Sequence, residues 1–141
     1  MKTYVKIALA VVSLIAIGGI LAALYLYNLK PTDMSKSKPD FVISATLLQK
    51  EFDDNEKDAS AKYINKVVEV SGKISSVKPG ENNITSITLE TESPLSSVIC
   101  TVAAGTDVSK LTEGNEITIR GECSGFLMDV LLNNCSIIQP K

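Results

Sequence analysis

The 141 residues contain no histidine and no tryptophan, and only one arginine. Without histidine the chain lacks the usual general base near neutral pH and the commonest metal-binding side chain; without tryptophan it lacks the largest stacking ring. Aromatic residues make up 5% of the chain and no run of lysine or arginine occurs. The interleaved rings and cations that grip a single nucleic-acid strand are therefore missing, and nucleic acid is not expected as a partner. Cysteine occurs three times, at Cys100, Cys123 and Cys135, an odd set too widely spaced for a zinc knuckle or a Cys-x-x-Cys pair. At most one intramolecular disulfide can form. Acid-base chemistry would have to rest on paired carboxylates or a shifted lysine, and the spacing of the 16 acids identifies no such pair. The chain is read as a non-enzyme with no cofactor and no metal.

What is present begins with an uncharged run from Ile7 to Tyr27, IALAVVSLIAIGGILAALYLY. Its 21 residues would span about 31 Å as a helix, matching a hydrocarbon core of about 30 Å. Lys2 and Lys6 flank one end and Lys30 the other, with Tyr25 and Tyr27 at the interface depth that amphipathic rings prefer. A cleaved signal peptide has a shorter apolar core ending in small residues, whereas this one ends in LYLYNLK. No cysteine follows that would mark a lipoprotein. Residues 7–27 therefore read as an uncleaved anchor in the bilayer, with residues 1–6 as a cytoplasmic tail. The positive-inside count is nearly tied, but a short tail is easily retained while the following domain is translocated, so an extracytoplasmic domain is expected.

From Pro31 onward the chain carries 11 basic against 16 acidic residues, a balance of −5 that repels phosphate backbones. Residues 28–43 hold prolines, serines and scattered charge and read as a linker. Residues 44–64 read as a helical segment: Ser44 suits an N-cap before a turn in which Leu47, Leu48 and Phe52 share a side, and Asn55 can cap a second turn bearing Ala59 and Tyr63. The cluster DDNEKD at 53–58 has the look of a calcium loop, yet it lacks the glycine and the closing glutamate of an EF-hand. Helix caps and dipole-favourable acids explain it better.

From residue 65 to 141 the period becomes two. Val68, Val70, Gly72 and Ile74 mark one strand; Ile87 and Leu89 mark a second, after a polar turn at 79–83. Val98, Cys100 and Val102 mark a third, and Ile117 and Ile119 a fourth. A fifth runs from about Met128 to Ile138, with a phase shift at Asn133 and Asn134 that predicts a bulge. Gly72 is expected to supply the bend that a small barrel needs. A mainly β fold follows: a five-stranded OB-fold barrel preceded by a short helical segment and a membrane helix, with an SH3-like barrel as rival. The long connector at 103–114 favours OB, because OB barrels place a helix there.

The blocks KYINKVVEVSGKI (62–74), SVICTV (97–102), LTEGNEITIRGECSGF (111–126) and DVLLNNCSI (129–137) resemble the tRNA-anti-like family of OB-fold proteins. Members of that family look like small envelope proteins with an amino-terminal anchor. The resemblance implies a fold related to the anticodon-binding domains of tRNA synthetases, and it brings no catalytic motif and no established function.

In an OB barrel, extended ligands cross the second and third strands between two loop rims. Thr88, Glu90, Ile99 and Thr101 are the strand candidates, with Asn82, Asn83, Ser124 and Phe126 from the loops. Arg120, in a strand, could face a ligand anion or pair outward with a neighbouring acid. With a hairpin turn near Ser124 and Gly125, Cys123 and Cys135 do not reach each other, while Cys100 could meet either one, or all three could pack as buried thiols. Two glycosylation triplets, at Asn83 and Asn134, are expected to stay unmodified. The favoured role is a tethered binding module for protein, peptide or glycan, the alternative a structural subunit docked on an envelope protein partner, and the third single-stranded nucleic-acid binding.

Overall fold

The computed structural model describes residues 1–29 and 33–138. The chain divides into two units, residues 1–31 and 32–141. Residues 30–32 of the expected linker and 139–141 of the expected barrel lie outside the described residues.

The first unit is one helix, α1 (Lys2–Tyr27), 26 residues that bury nothing. It begins five residues before the apolar run and is long and apolar enough to cross a membrane. The Ser13 hydroxyl, in the middle of the run, donates to the Leu9 carbonyl at 2.9 Å, so that polar group is satisfied within the helix.

The second unit is mainly β: β1 (Phe41–Ser44), α2 (Ala45–Asp54), α3 (Glu56–Tyr63), β2 (Val67–Pro79), β3 (Thr85–Leu89), β4 (Val98–Val102), β5 (Glu116–Leu127) and β6 (Asp129–Ile138). The sheet order β1-β2-β3-β4-β6-β5 closes into a barrel through β2 and β5. The long β2 makes closure possible by serving two neighbours: Val67 to Lys73 pair with β5, and Ile74 to Pro79 pair with β3. A parallel β4–β6 pair completes the five-stranded OB connectivity, which replaces the SH3-like alternative. Alternation works as the sequence suggests. Val68, Val70, Ile87, Leu89, Val98, Ile119 and Leu132 point inward with no exposed surface, and the polar residues between them point out. The bulge at Asn133 and Asn134 is present, with Asn134 left-handed at φ 51.

Both expected caps form. The Ser44 hydroxyl accepts from Leu47 N–H at 3.2 Å, and Asn55 Oδ1 accepts from Asp58 N–H at 3.2 Å. The two helices close one end of the barrel, where Phe52 stacks on Phe126 at 5.4 Å and Phe41 meets Tyr63 edge-on at 4.9 Å. A tie joins them: Lys62 Nζ and the Tyr63 hydroxyl both donate to Glu51 Oε2, at 2.9 and 2.8 Å. Hydrogen bonding from Lys62 holds the Glu51 carboxyl below its usual range, and the Tyr63 bond adds to this.

Several expectations are revised. The linker expected over 28–43 ends in a strand, because Phe41 to Ser44 add in parallel to β2 as an extra edge. Leu47 does not share the buried side of α2; it is exposed, and Leu48 and Phe52 face the core. At Gly72 the absent side chain admits Ala45, whose Cβ lies 3.0 Å from where one would start, and the register shift of β2 falls just beyond, between Ile74 and Ser76. The connector at 103–114 holds no helix: Gly105 and Gly114 adopt positive φ, and Asp107 accepts from the Ser109 N–H and hydroxyl in a local turn. Val108 and Leu111 from that connector pack on the core at the second end of the barrel. The β5–β6 hairpin turns at Met128, φ 68, rather than near Ser124 and Gly125.

Candidate functional site

The outer face of β3 and β4 is set by two register pairs, Ser86 with Thr101 and Thr88 with Ile99. All four side chains are half-buried, and Ser76 beside Thr88 and Leu131 beside Ile99 extend the face onto β2 and β6. The surface is hydroxylic with an aliphatic centre. It carries no aromatic ring, and its cation is Lys78 on β2, exposed opposite Ser86.

Where β3 ends, this face runs into a groove of about 320 Å³ lined by Ser75, Thr88, Glu90, Thr91, the loop from Ser93 to Ser97, and Asp129. A larger groove of about 770 Å³ adjoins it and shares Glu90 and Thr91. Its walls are Ser44 and Thr46 at the start of α2, Ser71 to Lys73 on β2, Glu92, and Glu116 to Thr118 on β5. The larger groove exists because β1 stops at Ser44, leaving β2 uncovered between the ends of β1 and β3.

The loop between β3 and β4 is held in shape by polar groups on β6 and α2. The Asp129 carboxylate accepts from the Ser97 N–H at 2.7 Å and hydroxyl at 2.8 Å. Gln49, buried on α2, donates to Ser96 Oγ at 2.6 Å and also contacts Asp53. Across the larger groove the Ser71 and Thr118 hydroxyls bond at 3.1 Å. Lys73, the cation among the lining residues, stands 3.9 Å from Glu90. Glu90, Glu92, Glu116 and Asp129 leave the two grooves with an excess of negative charge and many hydroxyls.

The sequence candidates fall into two groups. Thr88, Glu90, Ile99 and Thr101 come together, with Thr88 and Glu90 in the grooves and the others beside them on β4. Asn82 and Asn83 sit in an exposed left-handed turn before β3, at the end opposite Glu90. Ser124 donates to the Leu131 carbonyl at 3.2 Å, within the hairpin. Phe126 is not a rim residue but a packing partner of Phe52. Arg120 faces the other side of the barrel, where Nε donates to Glu69 at 3.0 Å and Nη1 to the backbone of residues 34–37, so it is not presented to a ligand. Ser44, Thr46, Ser71 and Glu116 join the site without having been candidates. Alternation on β2 and β5 could have offered Ser71 and Glu116; no local signal offered Ser44 or Thr46.

The cysteines take no part in the grooves. All three are free, fully buried thiols, the packed arrangement that the sequence allowed beside a possible bridge from Cys100 to Cys123 or Cys135. Cys123 pairs with Leu132, and Cys135 lies opposite Val102 rather than Cys100. Contact with the Cys135 thiol, then burial, pushes the Cys100 thiol well above its ordinary value, and burial raises Cys123. Neither is disposed to act as a nucleophile. Among the described residues no group of three or more acidic or thiol side chains converges as a metal site.

The family model described as tRNA_anti-like matches residues 1–137. Among solved structures, the chain is similar to a Klebsiella pneumoniae lipoprotein provisionally named nucleic acid-binding, at 20% identity and TM-score 0.57, covering 69% of this chain and 91% of that one. It is also similar to the Stn1-Ten1 complex of S. pombe, at 16% identity and TM-score 0.40 over 52% of this chain and 59% of that one. Asparaginyl-tRNA synthetase of Entamoeba histolytica follows at 11% identity and TM-score 0.46, covering 74% of this chain and 25% of the synthetase. At such identities the likeness is one of fold. No curated protein matches the chain in sequence.

Proposed function

The chain belongs to the tRNA-anti-like family of OB-fold proteins, and from that premise we propose that it is a membrane-tethered, non-catalytic module holding an extended protein, peptide or glycan outside the cytoplasm. The observation that carries this reading is the pair of adjoining grooves meeting at Glu90 and Thr91. Their hydroxyls can bond the amides of a peptide or the hydroxyls of a sugar, and their carboxylates favour neutral or cationic groups. A loop already fixed by Asp129 and Gln49 pays little ordering entropy on binding. The anchor is α1, whose length and apolarity suit a bilayer.

Nucleic-acid binding, the role in the name of the Klebsiella lipoprotein, is the second reading. Against it stand the acid excess of the grooves and a β3–β4 face without aromatic rings, where Lys78 is a lone cation at the edge. The full-length protein in detergent micelles, titrated with a basic extended peptide, a neutral oligosaccharide and an oligothymidylate, separates the readings. Saturable binding of peptide or oligosaccharide that Thr88→Arg abolishes supports the first. Oligothymidylate binding at low salt that Thr88→Arg strengthens would replace it with the second. Binding of none, with an envelope protein retained after mild crosslinking, would favour a structural subunit. Location has its own test: because the native thiols are buried, Glu81→Cys on the exposed turn should take a membrane-impermeant maleimide on intact cells, and labelling only after lysis would reverse the orientation.

A further inference from the structure

We propose that residues 33–40 form a releasable strap, docked on the outer side of β2, β5 and β6 while Arg120 holds it and passed to the α1 connection when Arg120 lets go. The single arginine of the chain is committed to this contact. Its Nη1 donates to three consecutive-turn carbonyls, Met34 at 3.4 Å, Ser35 at 3.0 Å and Ser37 at 2.6 Å, while Nε grips Glu69. Met34 is the apolar anchor, only 5% exposed. Asp33 organises the turn by accepting from the Ser35 N–H and hydroxyl, and Ser136 on β6 reaches it at 3.4 Å. At the far end Asp40 brackets Val67, its N–H donating to the carbonyl at 2.8 Å and its carboxylate accepting from the N–H at 2.9 Å.

Among the described residues, Asp33 to Pro39 make no backbone ladder with the barrel; their backbone bonds to each other close the turn. A segment held by one guanidinium, one buried methionine, the Ser136 hydroxyl and the bonds of Asp40 to Val67 opens as a local unit, while a barrel closed by continuous ladders stays folded. On opening, Arg120 keeps its bonds to Glu69 and exchanges the strap carbonyls for water. Opening hands eight residues to the connection with α1 and lengthens it by up to about 28 Å, at 3.3–3.6 Å per residue. The strap is a device that sets how far the barrel can reach, and it does not depend on what the grooves bind.

Lys36 is exposed inside the strap, is followed by Ser37 and reports the strap's state to trypsin, whereas the Lys38–Pro39 bond resists that protease. In the full-length protein in micelles, cleavage after Lys36 should be slow, and Arg120→Gln should raise it about tenfold, the scale of losing a charged hydrogen-bond set. Met34→Ser should do the same with Arg120 in place, and in both variants the barrel should melt at the unaltered temperature. Three results would overturn the proposal: cleavage in the unaltered protein as fast as in a free peptide of the same sequence, no acceleration in either variant, or acceleration only together with melting of the barrel.

Discussion

The two outer sides of the barrel are made by the same alternation of strand residues, yet one is covered and the other is open. On β2, β5 and β6 the outward residues Arg120 and Ser136 bond to the chain's own residues 33–37, and Glu69 holds Arg120 in place. On β3 and β4 the outward residues Ser86, Thr88, Ile99 and Thr101 are, among the described residues, covered by no segment comparable to 33–40, and the grooves beside them are lined with hydroxyls and acids. The difference explains how one sequence can be poor in recognisable chemistry and still present a site. Its strongest hydrogen-bonding side chain is spent internally, and what faces outward suits many weak polar contacts along an extended ligand.

Substitutions should separate the sides by what they cost. The largest effect is expected under the covered side, where Gly121 on β5 leaves no room for a side chain because a β-carbon would collide with Cys135 Sγ. Gly121→Ala should destabilise the barrel by about 1–3 kcal/mol in urea melts, and Cys135→Ala in the same chain should recover part of it. Next comes the hairpin tip, where Met128 is left-handed at φ 68 and gains nothing from burial, being 71% exposed. Met128→Gly should stabilise by about 1 kcal/mol. On the open side Thr88→Ala and Thr101→Ala should move stability by no more than about 0.5 kcal/mol while weakening ligand capture, which is the contrast in its plainest form.

The smallest effect concerns the helical end. The folded Glu51 carboxyl titrates below its ordinary value of 4.5, so the tie to Lys62 and Tyr63 contributes above that value and is lost as pH falls through the lower folded one. Both partners of the ion pair are more than a third exposed, so screening keeps the contribution small. Acid titration of melting temperature should flatten slightly in Glu51→Gln, and an unaltered slope would show that the tie contributes nothing.

The legible parts of this fold were those specified by near neighbours in sequence. Period-two alternation gave β2 through β6, Ser44 and Asn55 gave the helix starts, and Asn133–Asn134 gave the bulge. β1 was hidden because four residues after Pro39 and Asp40 carry no period, and their strand conformation comes from β2, more than twenty residues away. With β1 went the Ser44 and Thr46 wall of the larger groove. The connector helix failed for the opposite reason: fold precedent suggested it, whereas Gly105 and Gly114, both at positive φ, argue locally against it. Arg120 was readable as an outward residue beside an acid, but its strap was not, because backbone carbonyls leave no trace in a sequence.

A photo-crosslinking residue placed in the full-length protein in its native membrane tests the contrast most directly. Position 88 samples the open side and position 122, the half-buried Glu122 on β5, samples the other. Adducts at 88 that fade when Glu90 is replaced by lysine, with none at 122, are the expected result. Adducts confined to 122, or equal at both, would mean that the open side is not where this barrel meets its ligand.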